Sequence, residues 1–468
     1  MATSASDFPW PTPGDMGDLV VPGPQPGRVL LGRLAPASTE ARLWGLFDSE
    51  RASPALAAPP GYGVLVVGVT RSGKTTSLLA PNVVGWDGPV ITTSIRSDVL
   101  QHAWEEREAA GWPVLIYNPS NQGEYGSNTW SPLAVVMGER PWGSARRVAK
   151  ALVEAAGLAE DGHNSRSNFW NATAADYIGP LLLAAAQEGP SMEPVMRWLQ
   201  EGEDAKREIR QRLKDHAEAL RVAEGVWKMD SEVADSVFLT ARTTLSAYND
   251  EEVLETCRAP GPGKLPDITP DTVLGTEGPD GSPGASLFIV SPPDDWRYFA
   301  PLFSALVTSL VTAAFRRGGA KGPLDPPLLL ALDEVANIAP LKDLPSWASQ
   351  AAGAGVQIIT VLQDLGQAER IWSKAETREL LSNHPAKLLL GGTTDLETLK
   401  WAREMLGEVD TRRWVQARGR GGRSASEQWE RRPPMSLDEI RRIPQGAGLL
   451  ISRSAPAAIV RLRQGTTI

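Results

Sequence analysis

The chain has 468 residues, of which 42% are apolar, a composition ordinary for a soluble globular protein with room for two or three domains and a sizeable core. Its one cysteine, Cys257, excludes an intramolecular disulfide framework, and its four histidines, His102, His163, His216 and His384, are scattered singly and form no metal-ligand cluster. A formal charge of −9 and a pI near 5.3 argue against a surface that coats nucleic acid indiscriminately, while leaving room for a local basic channel.

Residues 1–27 are rich in Pro, Gly, Ser and acids and lack the basic and apolar regions of a secretory signal, so residues 1–60 read as a flexible arm and lead-in. From residue 61 to 118 apolar runs alternate with helical patterns: residues 63–67, 90–93 and 114–117 are predicted as buried strands, residues 75–84 and 98–110 as helices. Between the first strand and the first helix lies Gly68-Val69-Thr70-Arg71-Ser72-Gly73-Lys74-Thr75-Thr76. The spacing G-x-x-x-x-G-K-T is that of a phosphate-binding loop: Gly68 and Gly73 let backbone N–H groups converge on a polyanion, Lys74 reaches the β- and γ-phosphates, and the Thr75 hydroxyl ligates Mg²⁺ at a helix N-terminus. The bland alternative, a Gly-rich turn that happens to carry a lysine, is disfavoured by the strand that precedes it.

After residue 142 the pattern changes to long helices, seen in the apolar spacing of Ile209, Leu213, Leu220 and Trp227 within a charged stretch, so residues 143–257 are predicted as an all-α insert. A Pro/Gly-rich linker, residues 258–284, returns the chain to a strand at 287–290 and a second α/β segment, 285–468. Residues 299–315 form the longest apolar stretch, but contain Ser304, Thr308, Ser309 and Thr312 and fall short of the ~20 residues a span needs, so a buried helix is expected and no transmembrane helix is predicted. Leu328-Leu329-Leu330-Ala331-Leu332-Asp333-Glu334 reads as a central strand delivering Asp333 to the metal and Glu334 to an attacking water. Strands at 356–361 and 387–391 follow, and Gln363, just beyond the first, is either a sensor of the γ-phosphate or a solvated loop residue. From 411 to 434 the chain carries Arg412, Arg413, Arg418, Arg420, Arg423, Arg431 and Arg432 with glycines between; this loop is either solvated or touches phosphates, with Arg418, Arg420 and Arg423 as candidate nucleic-acid contacts. Trp414 and Trp429 either stack on bases or anchor the loop.

Taken together, GVTRSGKTTSLLAPNVVGW, VITTSIRSDVL, the pair Asn118-Pro119, Trp130-Ser131-Pro132-Leu133, LLLALDEVANIAPLKDLPSWASQAAGAGVQIITVLQDLGQ and KLLLGGTTDLETLKWAREMLGE resemble the segments of TraG/TraD-type coupling ATPases of conjugation and type IV secretion. The resemblance implies a RecA-like P-loop NTPase domain with a mainly parallel sheet, interrupted by the all-α insert. It further implies ATP and Mg²⁺ as cofactors, a homo-hexameric ring, and delivery of DNA, single-stranded or relaxase-bound, to a secretion channel. Lys74 and residues 68–76 would bind nucleotide, Thr75 and Asp333 the metal, and Glu334, Lys74 and Gln363 would act in hydrolysis.

Three positions depart from that family. Many relatives carry N-terminal membrane helices and none is predicted here, so this chain is expected to be cytoplasmic and recruited to the inner face of the membrane by a partner. Where relatives often have Asp-Ile-Lys-Gly-Glu, Ser94-Ile95-Arg96-Ser97-Asp98 stands here and the first carboxylate is lost. The position from which relatives present an arginine to a neighbouring subunit is Ala352, which implies slow hydrolysis or a finger from elsewhere, with Arg242, Arg370 and Arg378 as unranked candidates. Two alternatives to the coupling ATPase therefore stand: a nucleotide-gated cargo adaptor with weak ATPase activity, and a DNA translocase unrelated to secretion.

Overall fold

The computed structural model describes residues 10–35, 53–95, 97–121, 124–161, 167–261, 264, 266–276, 281–419 and 422–463, with the side chains of 159–168 and 411–428 outside the description. Residues 10–27, expected as part of a flexible arm, instead fold onto the body together with the lead-in residues 28–34. A 3-10 helix, Pro13–Leu19, tucks Met16 and Leu19 into the core and leads into strands β1 (Val20–Val21) and β2 (Leu30–Leu34), joined by β3 (Ala55–Ala57). Composition misled here, because most of the apolar residues among the prolines and glycines are buried.

Three further strands, β4 (Val64–Val67), β5 (Val90–Ser94) and β6 (Val114–Tyr117), lie where the apolar runs predict them. The expected helix after β4 opens as a π-helical turn, Lys74–Leu79, before regular α-helix at Ala80–Val84; the Ala80 N–H reaches back five residues to Thr75 O. Pro81 has no N–H to place on the carbonyl four residues back, which favours this wider turn.

The helical insert runs from Pro141–Asp161 and Ser167–Ala185 through Glu193–Glu201, Lys206–Arg212, Ala217–Trp227 and Ser231–Thr244 to Glu251–Thr256. Cys257 follows it, fully buried. Within the linker a short helix, Pro270–Leu274, is capped by Thr269. The chain then returns to the sheet as β7 (Ser286–Val290), β8 (Leu328–Leu332), β9 (Val356–Leu362) and β10 (Ala386–Leu390). The arginine-rich segment, expected as a loop, is a two-stranded antiparallel hairpin in its backbone, β11 (Val409–Gly419) with β12 (Gly422–Arg432). Two unanticipated strands, β13 (Ala447–Ser452) and β14 (Ala458–Arg461), complete the set.

Twelve strands form one sheet in the order β1-β3-β2-β14-β13-β10-β4-β9-β8-β5-β7-β6. From β10 to β6 every pairing is parallel; from β10 outward through β13 and β14 to β1 every pairing is antiparallel. The central parallel strands β4 and β8 are covered on both faces, which is why they read as unbroken apolar runs. Leu65, Val67, Leu328, Leu330 and Ile358 join the core shared with the insert, while Val64, Val66, Leu329, Ile359 and Val361 face the core holding Met16 and Leu19. Each fully buried aliphatic side chain contributes roughly 1.5–3 kcal/mol, so this double burial is what holds β4, β9 and β8 in register.

The apolar stretch 299–315 lies inside a longer helix, Trp296–Lys321, which among the described residues is the one helix long and apolar enough to cross a membrane. Here it is a core element: Phe299, Leu302, Phe303, Leu306 and Leu310 are buried against the sheet and the insert.

Candidate nucleotide site

In an open parallel sheet ligands collect at the carboxyl ends of the strands, and the residues of interest leave the ends of four adjacent ones. Gly68 follows β4, Gln363 follows β9 directly, Asp333 follows β8, and Thr93 and Ser94 end β5. Register fixes their relative heights: Val67 pairs with Leu362, Thr360 with Leu332, and Leu332 with Thr93.

The loop itself is tightly held. Gly68 N–H donates to Leu362 O at 3.1 Å, and a Cβ on Gly68 would sit 2.8 Å from Ser72 Oγ and 2.9 Å from Leu390 Cβ, so no larger residue fits. Gly73 has φ +91°, a left-handed conformation that places the first helical turn beneath the loop. Arg71 also takes positive φ, 65°, and its carbonyl accepts from Gln445 Nε2 at 3.4 Å. Thr70, Arg71 and Thr76 are exposed, Val69, Ser72 and Thr75 partly so, and Lys74 is 5% exposed, its ammonium donating to Val69 O at 2.9 Å. Burial pushes the Lys74 pKa down, and the acids Asp333 and Glu334 oppose that shift.

Asp333 meets the loop across the sheet. Its Oδ2 accepts from Thr75 Oγ1 at 2.7 Å and its backbone carbonyl accepts from Thr93 Oγ1 at 3.0 Å. Burial raises its pKa, against the hydrogen bond from Thr75 and the charge of Lys74. Two oxygens nearby, Asp333 Oδ1 and Ser72 Oγ, are buried without a hydrogen-bond partner. A hydroxyl and a carboxylate within contact of each other, beside an orphaned carboxylate oxygen, form the hard oxygen donor set that Mg²⁺ prefers. Glu334 is partly exposed and adopts φ +47°, ψ +40° as it caps the short helix Val335–Ile338. A glutamate held in the left-handed region carries backbone strain of the kind that collects at functional sites.

Gln363 lies between the loop and Asp333 because β9 lies between β4 and β8. Its N–H donates to Gln367 Oε1 at 2.9 Å, and Gln367 Nε2 donates to Asn337 Oδ1 at 3.3 Å. Gln367, buried on the helix Leu365–Ile371, thus ties the end of β9 to the helix that follows Glu334. Sequence reasoning missed Gln367, Asn337 and Thr93; a polar residue one turn into a helix has no distinguishing pattern before its partner is known.

The remaining candidates fall apart in space. Ser94 is buried at the end of β5; Arg96 lies outside the described residues; Asp98 is exposed, and its charge adds to the upward push on Asp333. Ala352 is exposed on the helix Leu344–Ala354, beside Gly61. Arg242 sits in the insert with Nε donating to Leu199 O at 2.9 Å. Arg370 and Arg378 are exposed, and the helix bearing Arg378, Lys374–Asn383, packs on the one bearing Ala352. Arg420 lies outside the described residues, and of Arg418 and Arg423 only the backbone is described, paired across the tip of the hairpin.

Two family models match the chain: "Type IV secretory system Conjugative DNA transfer" over residues 55–257 and "TraM recognition site of TraD and TraG" over residues 327–445. A conjugal transfer protein TraG of Escherichia coli is 24% identical over 368 residues, 72% of this chain and 54% of the relative. Protein VirD4 of Rhizobium radiobacter is 23% identical over 352 residues, 74% of this chain and 48% of the relative. The chain therefore spans about half the length of the curated relatives it matches. Among solved structures, the unbound bacterial conjugative coupling protein TrwBdeltaN70 superposes with a TM-score of 0.66 at 19% identity over 97% of each chain. TrwB in complex with ADP and Mg²⁺ gives 0.63, also at 19% identity, over 97% of this chain and 98% of that one. At these identities the superpositions establish a shared fold.

Proposed function

The chain belongs to the TraG/TraD-type coupling proteins of type IV secretion, and from that premise we propose that it is an ATP-hydrolysing motor that moves DNA, alone or with a bound relaxase, toward a secretion channel. The observation that carries the reading is the contact between Thr75 Oγ1 and Asp333 Oδ2 at 2.7 Å, which unites the two nucleotide motifs. Thr75 and Asp333 would hold Mg²⁺, which when bound neutralises charge on the β- and γ-phosphates. Residues 68–76 cradle the phosphates. Lys74, now hydrogen-bonded to Val69 O, exchanges that carbonyl for a phosphate oxygen, regaining a charged partner in a dry site. Glu334, adjacent to Asp333 and held by its strained backbone, orients the attacking water. Gln363, between loop and carboxylates, senses the γ-phosphate and relays its state through Gln367 and Asn337.

The motor is proposed to work as a homo-hexameric ring at the cytoplasmic face of the membrane, recruited there by a secretion or anchor protein, with Arg418, Arg420 and Arg423 on its hairpin touching DNA phosphates. One observation favours a second reading, a nucleotide-gated cargo adaptor with weak turnover: Ala352 presents no guanidinium to a neighbouring subunit. Steady-state ATP hydrolysis by the wild type and Glu334→Gln, with and without single-stranded or duplex DNA and with oligomer mass recorded, separates the readings. Glu334-dependent turnover that rises with single-stranded DNA and follows a ring-sized species supports the secretion motor. Stimulation by duplex DNA alone would favour a translocase unrelated to secretion, and tight ATP binding with negligible, DNA-independent turnover would favour the adaptor.

A further inference from the structure

A cavity of about 260 Å³ lies where the first insert helix, Pro141–Asp161, meets the helix Trp296–Lys321 and the turn that follows Val335–Ile338. It shares no residue with the phosphate loop. Arg147 and Lys150 reach it from the insert and Lys342 from the nucleotide-binding part of the chain. The two lysines share one acid: Glu154 Oε1 is 3.8 Å from Lys150 Nζ and 3.3 Å from Lys342 Nζ.

Arg147 is placed differently. Its hydrogen bond goes to Ser144 Oγ at 3.1 Å on its own helix, and Arg316 and Arg140 press on it with charge of its own sign, adding to the effect of burial in lowering its pKa. From the helix Trp296–Lys321, Ser304, Thr308 and Thr312 line the cavity on successive turns. A buried helical serine usually returns its hydroxyl to its own backbone, as Ser309 does to Leu306 O at 2.7 Å. Ser304 does not: it is 2% exposed, borders the cavity, and its Oγ is buried without a partner. A buried orphan hydroxyl and a guanidinium that, among the described residues, pairs with no acid line the same cavity, a donor set lacking its acceptor.

We propose that this cavity binds a phosphoryl-bearing anion, with Arg147 supplying the charged fork and Ser304 a hydroxyl donor. Donors brought in from two separate helices suit a tetrahedral oxyanion better than a planar carboxylate. Glu154 and Asp343, which also line the cavity, do not cancel its field, since three cations line it against two acids and the charges of Arg140 and Arg316 also act on Arg147. The occupant bridges the insert and the segment leaving Glu334, and draws Lys342 away from Glu154. This inference stands independently of the proposed DNA transfer.

The test uses the full chain carrying Lys74→Ala, which removes phosphate binding at the loop, and radiolabelled pyrophosphate in equilibrium dialysis. One equivalent per chain is expected to bind, weakened about tenfold or more by added Arg147→Gln and several-fold by added Ser304→Ala, with neither substitution lowering the melting temperature. Competition by an oligothymidylate that disappears with Arg147→Gln would identify the natural occupant as a nucleic-acid phosphodiester; its absence would identify a small phosphorylated molecule. Loss of all pyrophosphate binding in Lys74→Ala alone, or binding indifferent to both added substitutions, overturns the proposal.

Discussion

Replacing Asp333 by asparagine isolates the electrostatic conflict at the centre of the nucleotide site. The carboxylate is 5% exposed, one oxygen accepts from Thr75 at 2.7 Å and the other is buried without a partner. Because burial raises its pKa above the ordinary 3.8, the folded protein binds this proton more tightly than the unfolded chain. The stability associated with the protonated form is fully present below 3.8 and lost as the pH rises through the raised pKa of the folded protein, so once the group is ionised it is a net cost to folding. Asparagine keeps the shape and the acceptor for Thr75 and removes the charge, but its Nδ2 takes the unpartnered place of Oδ1, so only the cost of the buried charge is relieved and the ligand-free protein is expected to gain about 1 kcal/mol, the low end of the range for an unsatisfied buried polar group. For a chain of this size that is a rise in melting temperature of about 2 °C or less per kcal/mol. With nucleotide the order reverses. Mg²⁺–ATP at a hundredfold excess over its Kd stabilises the wild type by about 2.7 kcal/mol, and the variant, without the metal carboxylate, loses most of that gain. Scanning fluorimetry in EDTA and in Mg²⁺ with a non-hydrolysable ATP analogue reads both effects. An asparagine variant that melts lower without ligand, or that gains as much from Mg²⁺–nucleotide as the wild type, would refute the reasoning.

Lys74→Ala is expected to abolish productive phosphate contact, whereas Glu334→Gln preserves nucleotide binding and accumulates the ATP state; fluorescent-nucleotide titration beside single-turnover hydrolysis checks this division, and equal loss of binding in both would contradict it. Neutralising Arg418, Arg420 and Arg423 together is expected to flatten the slope of log affinity for DNA against log salt by about two to three, since each lost phosphate contact removes nearly one released counterion; an unchanged slope assigns the hairpin to solvent. His384, buried with Nε2 against Thr360 Oγ1 at 2.9 Å, has its pKa pushed down to about 4 by burial. The unfolded chain therefore takes up this proton first, and stability is expected to fall as the pH drops from about 6.5 toward 4, by at most about 1.4 kcal/mol per unit. Thermal melts of wild type and His384→Gln across that window check it, the variant showing the shallower fall.

The amino-acid order by itself determined the parts of this protein that depend on local chemistry. Gly68, Gly73, Lys74 and Thr75 are legible because a polyanion can be held by backbone only where side chains are absent, and β4 and β8 are legible because burial on both faces leaves no polar position in either strand. Tertiary structure alone decided which strand lies beside which. With β9 between β4 and β8, Gln363 comes to lie between the loop and Asp333, and Thr75 meets a carboxylate far along the chain, a contact no local pattern encodes. The same holds for Gln367 and Asn337, ordinary polar residues until the helices bearing them meet. Pairing also corrected two local readings: the proline-rich residues 10–34 find a sheet edge and a core to bury Met16 and Leu19, and the arginine-rich segment pairs with itself, because strands need partners and partners are a property of the whole chain.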